Sequence, residues 1–452
     1  VAIGLSSLLA NTTGGNNVAV GKGSMDSNTT GSNNIALGEA SLQANTTGAG
    51  NVSIGGGGTM YYNTTGANNT AIGLASLKDN TTGEQNVALG GYALTNNTTG
   101  TNVAVGYLAL EDNTTGTRNI AVGTEALKNN TTADDNVAIG KDALGQNVGG
   151  YRNTALGTSA LGSNAYASNN TAIGKGSFIA NTSGAQNTGV GTGSGAANTT
   201  GEYNTFLGYQ AGDANTTASH NVAIGGNALG ANTTGYSNCA VGYSALNNAT
   251  IGYKNTAVGQ QAGTSQTDSV GGTYVGNEAG VAVTGGHNNT FVGNSSGDNC
   301  TTGSYNVCVG MQSHIDSATV SNAISLGHDV SAASNNFAFG KAGNKVYNNF
   351  TSNASWTRSS DERKKTNITN ATLGLDFIND LRTVTFKWKR SQDIPDTFKD
   401  YRSDENLMDT DVVMHGMIAQ EVKAALDTAG VTTFGGWQEE SDGSQSLSQE
   451  MF

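Results

Sequence analysis

The chain has 452 residues, of which 65 are glycine and one is proline, and only 12% are charged. The net charge of −13 argues against nucleic acid as a partner, since phosphate binding needs clustered Lys and Arg. Collagen is excluded because glycine does not recur every third residue, and apolar runs fall short of the ~20 residues of a membrane helix.

A single glycine series organises the first three quarters of the chain. It runs from Gly4 through Gly21 and Gly38 to Gly340, and 17 of its 20 spacings are 17 residues. The repeated unit reads N-V-A-[VIL]-G-x-x-A-L-x-x-N-T-T-G-x-x. Positions within a unit are counted from this glycine, which is position 0. The chain opens at Val1 inside a repeat, so we expect it to be part of a longer protein.

Each unit predicts one β-strand followed by turns. Position −1 is a large apolar residue, position −3 is mostly Val, Ile or Thr, and position −2 is mostly Ala, which is strand-like alternation. Asn occupies position −4 in 18 of 20 units, with Gly272 and Ala323 as the exceptions. The Asn-Thr-Thr-Gly string that follows is typical of turns, because Asn and Gly tolerate left-handed backbone.

A 17-residue unit cannot bury its apolar side alone, so we predict stacked coils in a parallel β-solenoid. About twenty coils at ~4.8 Å each give a rod about 95 Å long. We expect position −1, Ile139 for example, to form a buried apolar ladder, and Asn to form an amide ladder. The Ala and Leu rows after each glycine offer a second apolar stripe for packing between chains. Late coils place Gly212, Gly263 and Gly280 at the Leu position, so we expect the shape of the coil in cross-section to change there.

The N-x-A-[VIL]-G signature resembles the head repeats of trimeric autotransporter adhesins and the repeat shafts of phage tail fibres. This resemblance covers Val1 to about Gly340. It implies a trimeric parallel β-roll, although the period here is longer than the adhesin period.

A different composition begins near residue 358, because 28 of the 55 charged residues lie between Arg358 and Phe452. Apolar spacing at Leu375, Ile378 and Leu381 predicts a helix. Alternation over 384–389 predicts a strand, and Gly416–Leu426 predicts a second helix. We expect a small α+β domain.

This region resembles the intramolecular-chaperone peptidase domain that ends phage tail spikes, endosialidases and tail fibres. The motifs are the run from Ser360 to Ile368, Phe386-Lys387-Trp388-Lys389, and the run from Gly416 to Val422. The resemblance implies a domain that trimerises, templates the upstream fibre and then cuts itself off. It further implies a catalytic dyad of Ser360 and Lys365, with cleavage between Ser359 and Ser360. The chain ends at Leu447-Ser448-Gln449-Glu450-Met451-Phe452, which resembles the start of the family's terminal helix, so we expect the coiled-coil end of that helix to lie beyond this sequence.

We therefore predict a repeat shaft at 1–340, a linker at 341–359 and a chaperone peptidase domain at 360–452. The resemblances imply a homotrimeric tail fibre of the virion, involved in host attachment. Its partners would be a host cell-surface receptor and other tail proteins, without nucleic acid, membrane insertion, cofactor or metal. Self-cleavage would be a single turnover, and the shaft would not be an enzyme. Alternatives are a trimeric adhesin on a bacterial cell surface and an ice-binding β-solenoid with stacked threonine rows.

Overall fold

The computed structural model describes residues 1–342, 344–350, 373–398, 401, 403–404, 410–411, 413–432, 434, 436–440 and 442–447. The chain divides into two compact units, Val1–Ser359 and Ser360–Phe452. The predicted fold class is confirmed. The first unit is a parallel β-solenoid of about twenty coils, and the second contains a small α+β region.

Each coil contributes one short strand to a 22-stranded sheet. Its first ten strands are β1 Ala2–Ile3, β2 Val18–Val20, β3 Ile35–Leu37, β4 Val52–Ile54, β5 Thr70–Ile72, β6 Val87–Leu89, β7 Val103–Val105, β8 Ile120–Val122, β9 Val137–Ile139 and β10 Thr154–Leu156. The next nine are β11 Thr171–Ile173, β12 Thr188–Val190, β13 Thr205–Leu207, β14 Val222–Ile224, β15 Cys239–Val241, β16 Thr256–Val258, β17 Thr273–Val275, β18 Thr290–Val292 and β19 Val307–Val309. Neighbours pair in parallel, with Val20 beside Leu37 and Leu37 beside Ile54, as predicted.

The last coils change the pattern and end the parallel stack. The elements are β20 His314–Ile315, β21 Ile324–His328, β22 Ser331–Ala332, β23 Asn336–Lys341 and β24 Asn344–Asn349. β20 and β22 form a small second sheet. β23 pairs in parallel with β21 and antiparallel with β24, so a hairpin closes the edge of the main sheet.

The register glycine is required because adjacent coils approach one another there. Gly140 has φ +134°, and a Cβ built on it would lie 2.6 Å from the carbonyl group of Gly157 in the next coil. Any side chain would meet both the left-handed backbone and this contact. The regularly spaced glycines therefore mark the point at which each coil contacts the next one.

Two buried asparagine ladders hold the coils together. In the first, at position −4, Asn136 donates from Nδ2 to the Gly150 carbonyl (2.9 Å), and its Oδ1 accepts the backbone N–H of Asn153 (2.9 Å). In the second, at position +7, Asn147 donates from Nδ2 to Oδ1 of Asn130 in the preceding coil (2.8 Å). Asn147 Nδ2 also contacts the Gly150 carbonyl (2.9 Å). The amide ladder predicted from the sequence is thus present twice.

The two faces of each strand are the reverse of the prediction. Ile139 at position −1 is 39% exposed, whereas Ala138 at position −2 is fully buried. Alternation in a strand defines two faces but does not say which of them is inside. The core is narrow, and Leu144 at position +4 belongs to the same buried cluster as Ala138. A methyl group therefore suits the inner side of the strand.

The second apolar stripe predicted for packing between chains is also wrong. Its alanines and leucines, such as Ala143 and Leu144, are fully buried within their own chain. They form the wall of the core that faces the strand. The apolar surface that stays exposed is the outer side of the strand instead.

Three late coils replace the strand alanine by an aromatic residue, namely Phe206, Tyr274 and Phe291, all fully buried. Each is accompanied by glycine at position +4. A Cβ on Gly212 would lie 2.7 Å from the Phe206 ring, and one on Gly297 would lie 2.4 Å from the Phe291 ring. The ring therefore fills the volume that leucine fills elsewhere, and the strands keep their 17-residue offset.

Tyr274 explains one of the two exceptions in the asparagine row. A Cβ on Gly272, at position −4, would lie 2.3 Å from the Tyr274 hydroxyl oxygen. The phenol thus occupies the space of the absent amide, and a side chain at 272 would collide with it. Burial raises the pKa of Tyr274 to about 12.

The second unit contains α1 Leu375–Asp380, β25 Thr383–Phe386, β26 Met414–Met417, α2 Ala419–Thr428, β27 Trp437–Glu439 and β28 Gln445–Leu447. A short 3₁₀ turn lies at Ser391–Asp393. The predicted first helix is present as α1, but its buried residue is Phe377, whereas Leu375 and Ile378 are exposed. The predicted strand ends earlier, at Phe386, and the second helix begins later, since residues 414–417 form a strand.

The burial of position −2 can be tested with a charge. Ala138→Asp would place an unpaired carboxylate in the core, and we expect it to cost several kcal/mol of unfolding free energy. Thr132→Asp, at an exposed turn position, is the matched control and should change it by about 0.5 kcal/mol or less. Denaturant unfolding followed by circular dichroism measures both. Equal destabilisation by the two variants would contradict the assignment of the inner face.

The ring of Phe206 fills the volume that leucine at position +4 fills in other coils, and this can be tested by restoring the usual Ala and Leu pair. Phe206→Ala leaves a cavity and should cost about 3–5 kcal/mol. Gly212→Leu alone overpacks the core and should cost about 1–3 kcal/mol. The double variant restores the pair found in other coils and should recover most of the loss in denaturant unfolding. Leucine tolerates the backbone of this position, since Leu144 has φ +50° there. A double variant no more stable than Phe206→Ala would refute the volume exchange.

Candidate functional site

β25 and β26 bring two of the family motifs together. The motif Phe386-Lys387-Trp388-Lys389 begins at the last residue of β25, and the run 416–422 covers the end of β26 and the start of α2. The strands are antiparallel, with Val384 opposite Gly416. A Cβ on Gly416 would lie 3.3 Å from the Phe386 ring, so a larger residue would press on that ring.

An ion pair links the loop before β25 to α2. Arg382 donates from Nε to Oε2 of Glu421 (3.1 Å) and from Nη2 to Oε1 (2.5 Å). The hydrogen bond from Arg382 lowers the pKa of Glu421. Glu421 also lies in the first turn of α2, where a negative charge is favourable. Both side chains are solvent-accessible, so the pair chiefly fixes the orientation of strand and helix.

The inner side of α2 carries the core of this unit. Val422, Ala425 and Leu426 are buried together with Phe377 of α1. On the flank of α2, the Lys423 ammonium lies 5.2 Å from the centroid of the Trp437 ring, within cation–π range. The β27–β28 hairpin is thereby tied to the helix.

The predicted catalytic residues Ser360 and Lys365, and the predicted scissile bond after Ser359, lie outside the described residues. The dyad stays a prediction from the sequence resemblance.

The solenoid exposes a continuous uncharged surface, formed by positions −3 and −1 of β2–β19 and β21, which is apolar at position −1 and apolar or threonine at most of the −3 positions. We call it the outer strand face. Position −3 is always Val, Ile, Thr or Cys, and position −1 is always Val, Ile or Leu. These side chains are half-buried or exposed, whereas position −2 between them is buried. In these nineteen strands neither outer position carries a charge.

Aromatic and charged side chains lie at the margins of the outer strand face. Tyr107, Tyr209 and Tyr243 are exposed at position +1. On the other margin, Tyr236 stacks on Tyr253 with ring centroids 4.8 Å apart. Arg118 there pairs with aspartate residues of the next coil. This division cannot be read from the sequence alone, because it depends on position −2 pointing inward.

A histidine is held between two carboxylates near the last coils. His314 Nδ1 lies 3.3 Å from Asp298 Oδ1, and its Nε2 lies 3.1 Å from Asp329 Oδ1. Both contacts are hydrogen bonds only when the imidazole is protonated, since the neutral ring has one N–H. The described residues contain no group of His, Cys, Asp and Glu side chains arranged to hold a metal ion.

Comparison with known protein families gives one match, to the family described as "Chaperone of endosialidase", over residues 360–431. The chain carries this chaperone domain at its C-terminal end. The match begins at Ser360 and includes all three motifs described above. No curated protein and no solved structure matches the chain. Within the described residues, no helix has both the length and the apolar character needed to span a membrane.

The core of the chaperone domain can be tested at Leu426, which is 2% exposed. Leu426→Ala should cost about 2–5 kcal/mol, because it leaves a cavity between α1 and α2. Gln420→Ala on the exposed side of α2 is the control, with an expected change of about 0.5 kcal/mol or less. Tryptophan fluorescence during denaturation measures both, since all three tryptophans lie at or beyond residue 356. If Leu426→Ala left the free energy of unfolding unchanged, the assignment of this core would be contradicted.

Proposed function

We propose that the chain is the shaft of a homotrimeric phage tail fibre or tail spike, folded by its own C-terminal chaperone. The observation that carries the proposal is the chaperone match at 360–431, which follows a β-solenoid of about twenty coils. The shaft would belong to the virion and hold a receptor-binding part toward the host cell. Its other partners would be further tail proteins.

The solenoid gives a physical reason for a chaperone. Successive coils are so similar that a strand can pair with the strand two coils away instead of with its correct neighbour 17 residues away, at little cost in side-chain packing. A partly formed stack also exposes unpaired strand edges at its ends, which favours misassembly. In a trimer, the three chains must also align equivalent coils at the same level along the shaft. A domain that trimerises first would set this alignment for the adjoining coils.

The proposed cleavage uses Ser360 as nucleophile and Lys365 as base. Lys365 accepts the hydroxyl proton while Ser360 Oγ attacks the carbonyl carbon of Ser359. The peptide C–N bond breaks, its nitrogen takes a proton, and water hydrolyses the resulting ester. The lysine must be neutral to act, which burial and the like charges of Arg363 and Lys364 favour. Burial by assembly would thus couple cleavage to trimer formation.

A trimeric bacterial adhesin is the alternative, because the shaft alone fits either setting. The chaperone match favours the fibre. The neighbouring genes decide between them, since a fibre gene lies among other tail genes.

Self-cleavage is tested in the full chain with a trimeric coiled coil fused to its C-terminus, because assembly is proposed to bury Lys365. Ser360→Ala and Lys365→Ala should each leave one uncut band on a denaturing gel, and both should still trimerise. Wild type should yield a chaperone fragment whose first residue is Ser360, identified by N-terminal sequencing. Lys364→Ala is the matched control and should still be cut. Cleavage of Ser360→Ala at the wild-type rate, or a different new N-terminus, would refute the dyad.

A further inference from the structure

The outer strand face is too large and too apolar to remain in water along its whole length. Three residues per strand at ~3.3 Å give a width of about 10 Å, and nineteen strands at ~4.8 Å give a length of about 90 Å. The product, on the order of 900 Å², is the area of the whole face, which is uncharged and, apart from the threonine hydroxyls at position −3, apolar. It exceeds the few hundred Å² of apolar patch that monomers usually expose. It also reaches the ~800 Å² per partner of a stable protein interface.

We propose that the outer strand face is the surface through which copies of this chain pack around a common axis. This inference rests on the proposed trimer and assigns its interface. It places positions −3 and −1 of β2–β19 and β21 toward the axis. The margins with their tyrosines and charges lie at the rim, as in other interfaces with an apolar centre and polar edge.

The repeat explains why the partner is another copy. Side chains of the outer strand face recur once per coil over nineteen coils, and a partner that fits all of them must have the same rise. A second copy of this chain meets that requirement at every coil. Apolar side chains of equal spacing can then interdigitate along the whole shaft.

The composition of position −3 further favours copies that run parallel and at the same height. From β2 to β9 this position is mostly Val or Ile, whereas Thr predominates from β10 to β18. Parallel chains at equal height bring Val against Val and Thr against Thr, where threonine hydroxyls can pair. Antiparallel chains would oppose the two zones and leave hydroxyls against Val and Ile.

A native cysteine can be used to test whether the outer strand face is buried between chains. Cys239 occupies position −3 of β15 and is partly exposed. Cys300 and Cys308 are buried in the core, and burial raises the pKa of both thiols, that of Cys300 to about 11. The thiolate is the reactive form, so these two remain silent toward thiol reagents in the folded protein.

The experiment uses the full chain, with Ser360→Ala to prevent cleavage. Light scattering first gives the mass. Copper-phenanthroline oxidation should then convert two chains of each trimer into a disulfide-linked dimer through Cys239. Cys239→Ser should abolish this band. In the matched control Cys239→Ser/Thr234→Cys, the thiol moves to an exposed turn position and should give no dimer. N-ethylmaleimide should label Cys239 at least about tenfold more slowly than the thiol at 234.

Each outcome bears on one proposal or on both. A trimer in which Cys239 is alkylated as fast as the thiol at 234, or in which the control cross-links equally well, overturns the interface and leaves the trimer standing. A mass equal to the monomer overturns both. Ile139→Asp gives an independent check, because Ile139 lies on the outer strand face far from Cys239. It should lower the trimer fraction while circular dichroism still shows folded coils, and an unchanged trimer fraction would count against the interface.

Discussion

In most coils one backbone carbonyl at the corner accepts two asparagine amides. The Gly150 oxygen receives Nδ2 of Asn136, from the start of the strand, and Nδ2 of Asn147, from the turn. The Oδ1 atoms of both asparagines accept hydrogen bonds from the next coil. An amide side chain can do this because it both donates and accepts, whereas a carboxylate cannot donate and an ammonium cannot accept. Later coils lose the second amide, since Ala249 and Val283 stand at position +7 there, and keep the stack through the remaining contacts.

The sequence was sufficient for the period, the strand position and the parallel register, because glycine and asparagine are fixed by backbone contacts that recur in most coils. The inner face of the strand was predicted wrongly at Ile139 and Ala138, because hydrophobicity favours the larger residue inside, whereas a narrow core favours the smaller one. The first helix of the second unit was predicted from its apolar spacing, but that spacing does not identify its buried residue. Six residues do not define a face, and the burial of Phe377 depends on contacts with α2, which lies far away in the chain.

Departures from the repeat are informative because two of them are explained by a partner within the same coil. Glycine at 212 accommodates the ring of Phe206, and glycine at 272 accommodates the hydroxyl of Tyr274. A change at one position of a coil is thus compensated by a change at another position a few residues away. These pairs make individual coils distinguishable, although most coils are nearly identical.

Two coils within the regular stack differ in length from their neighbours, and their strands are undisturbed. The coil after Gly55 has 18 residues, with the addition before Thr59, and the coil after Gly90 has 16, with the deletion near Gly100. Both keep Val, Ile or Leu paired across the sheet. The corners can thus change in length without altering the pairing of neighbouring strands. A shaft of this kind can carry corner loops of different lengths at fixed levels about 4.8 Å apart.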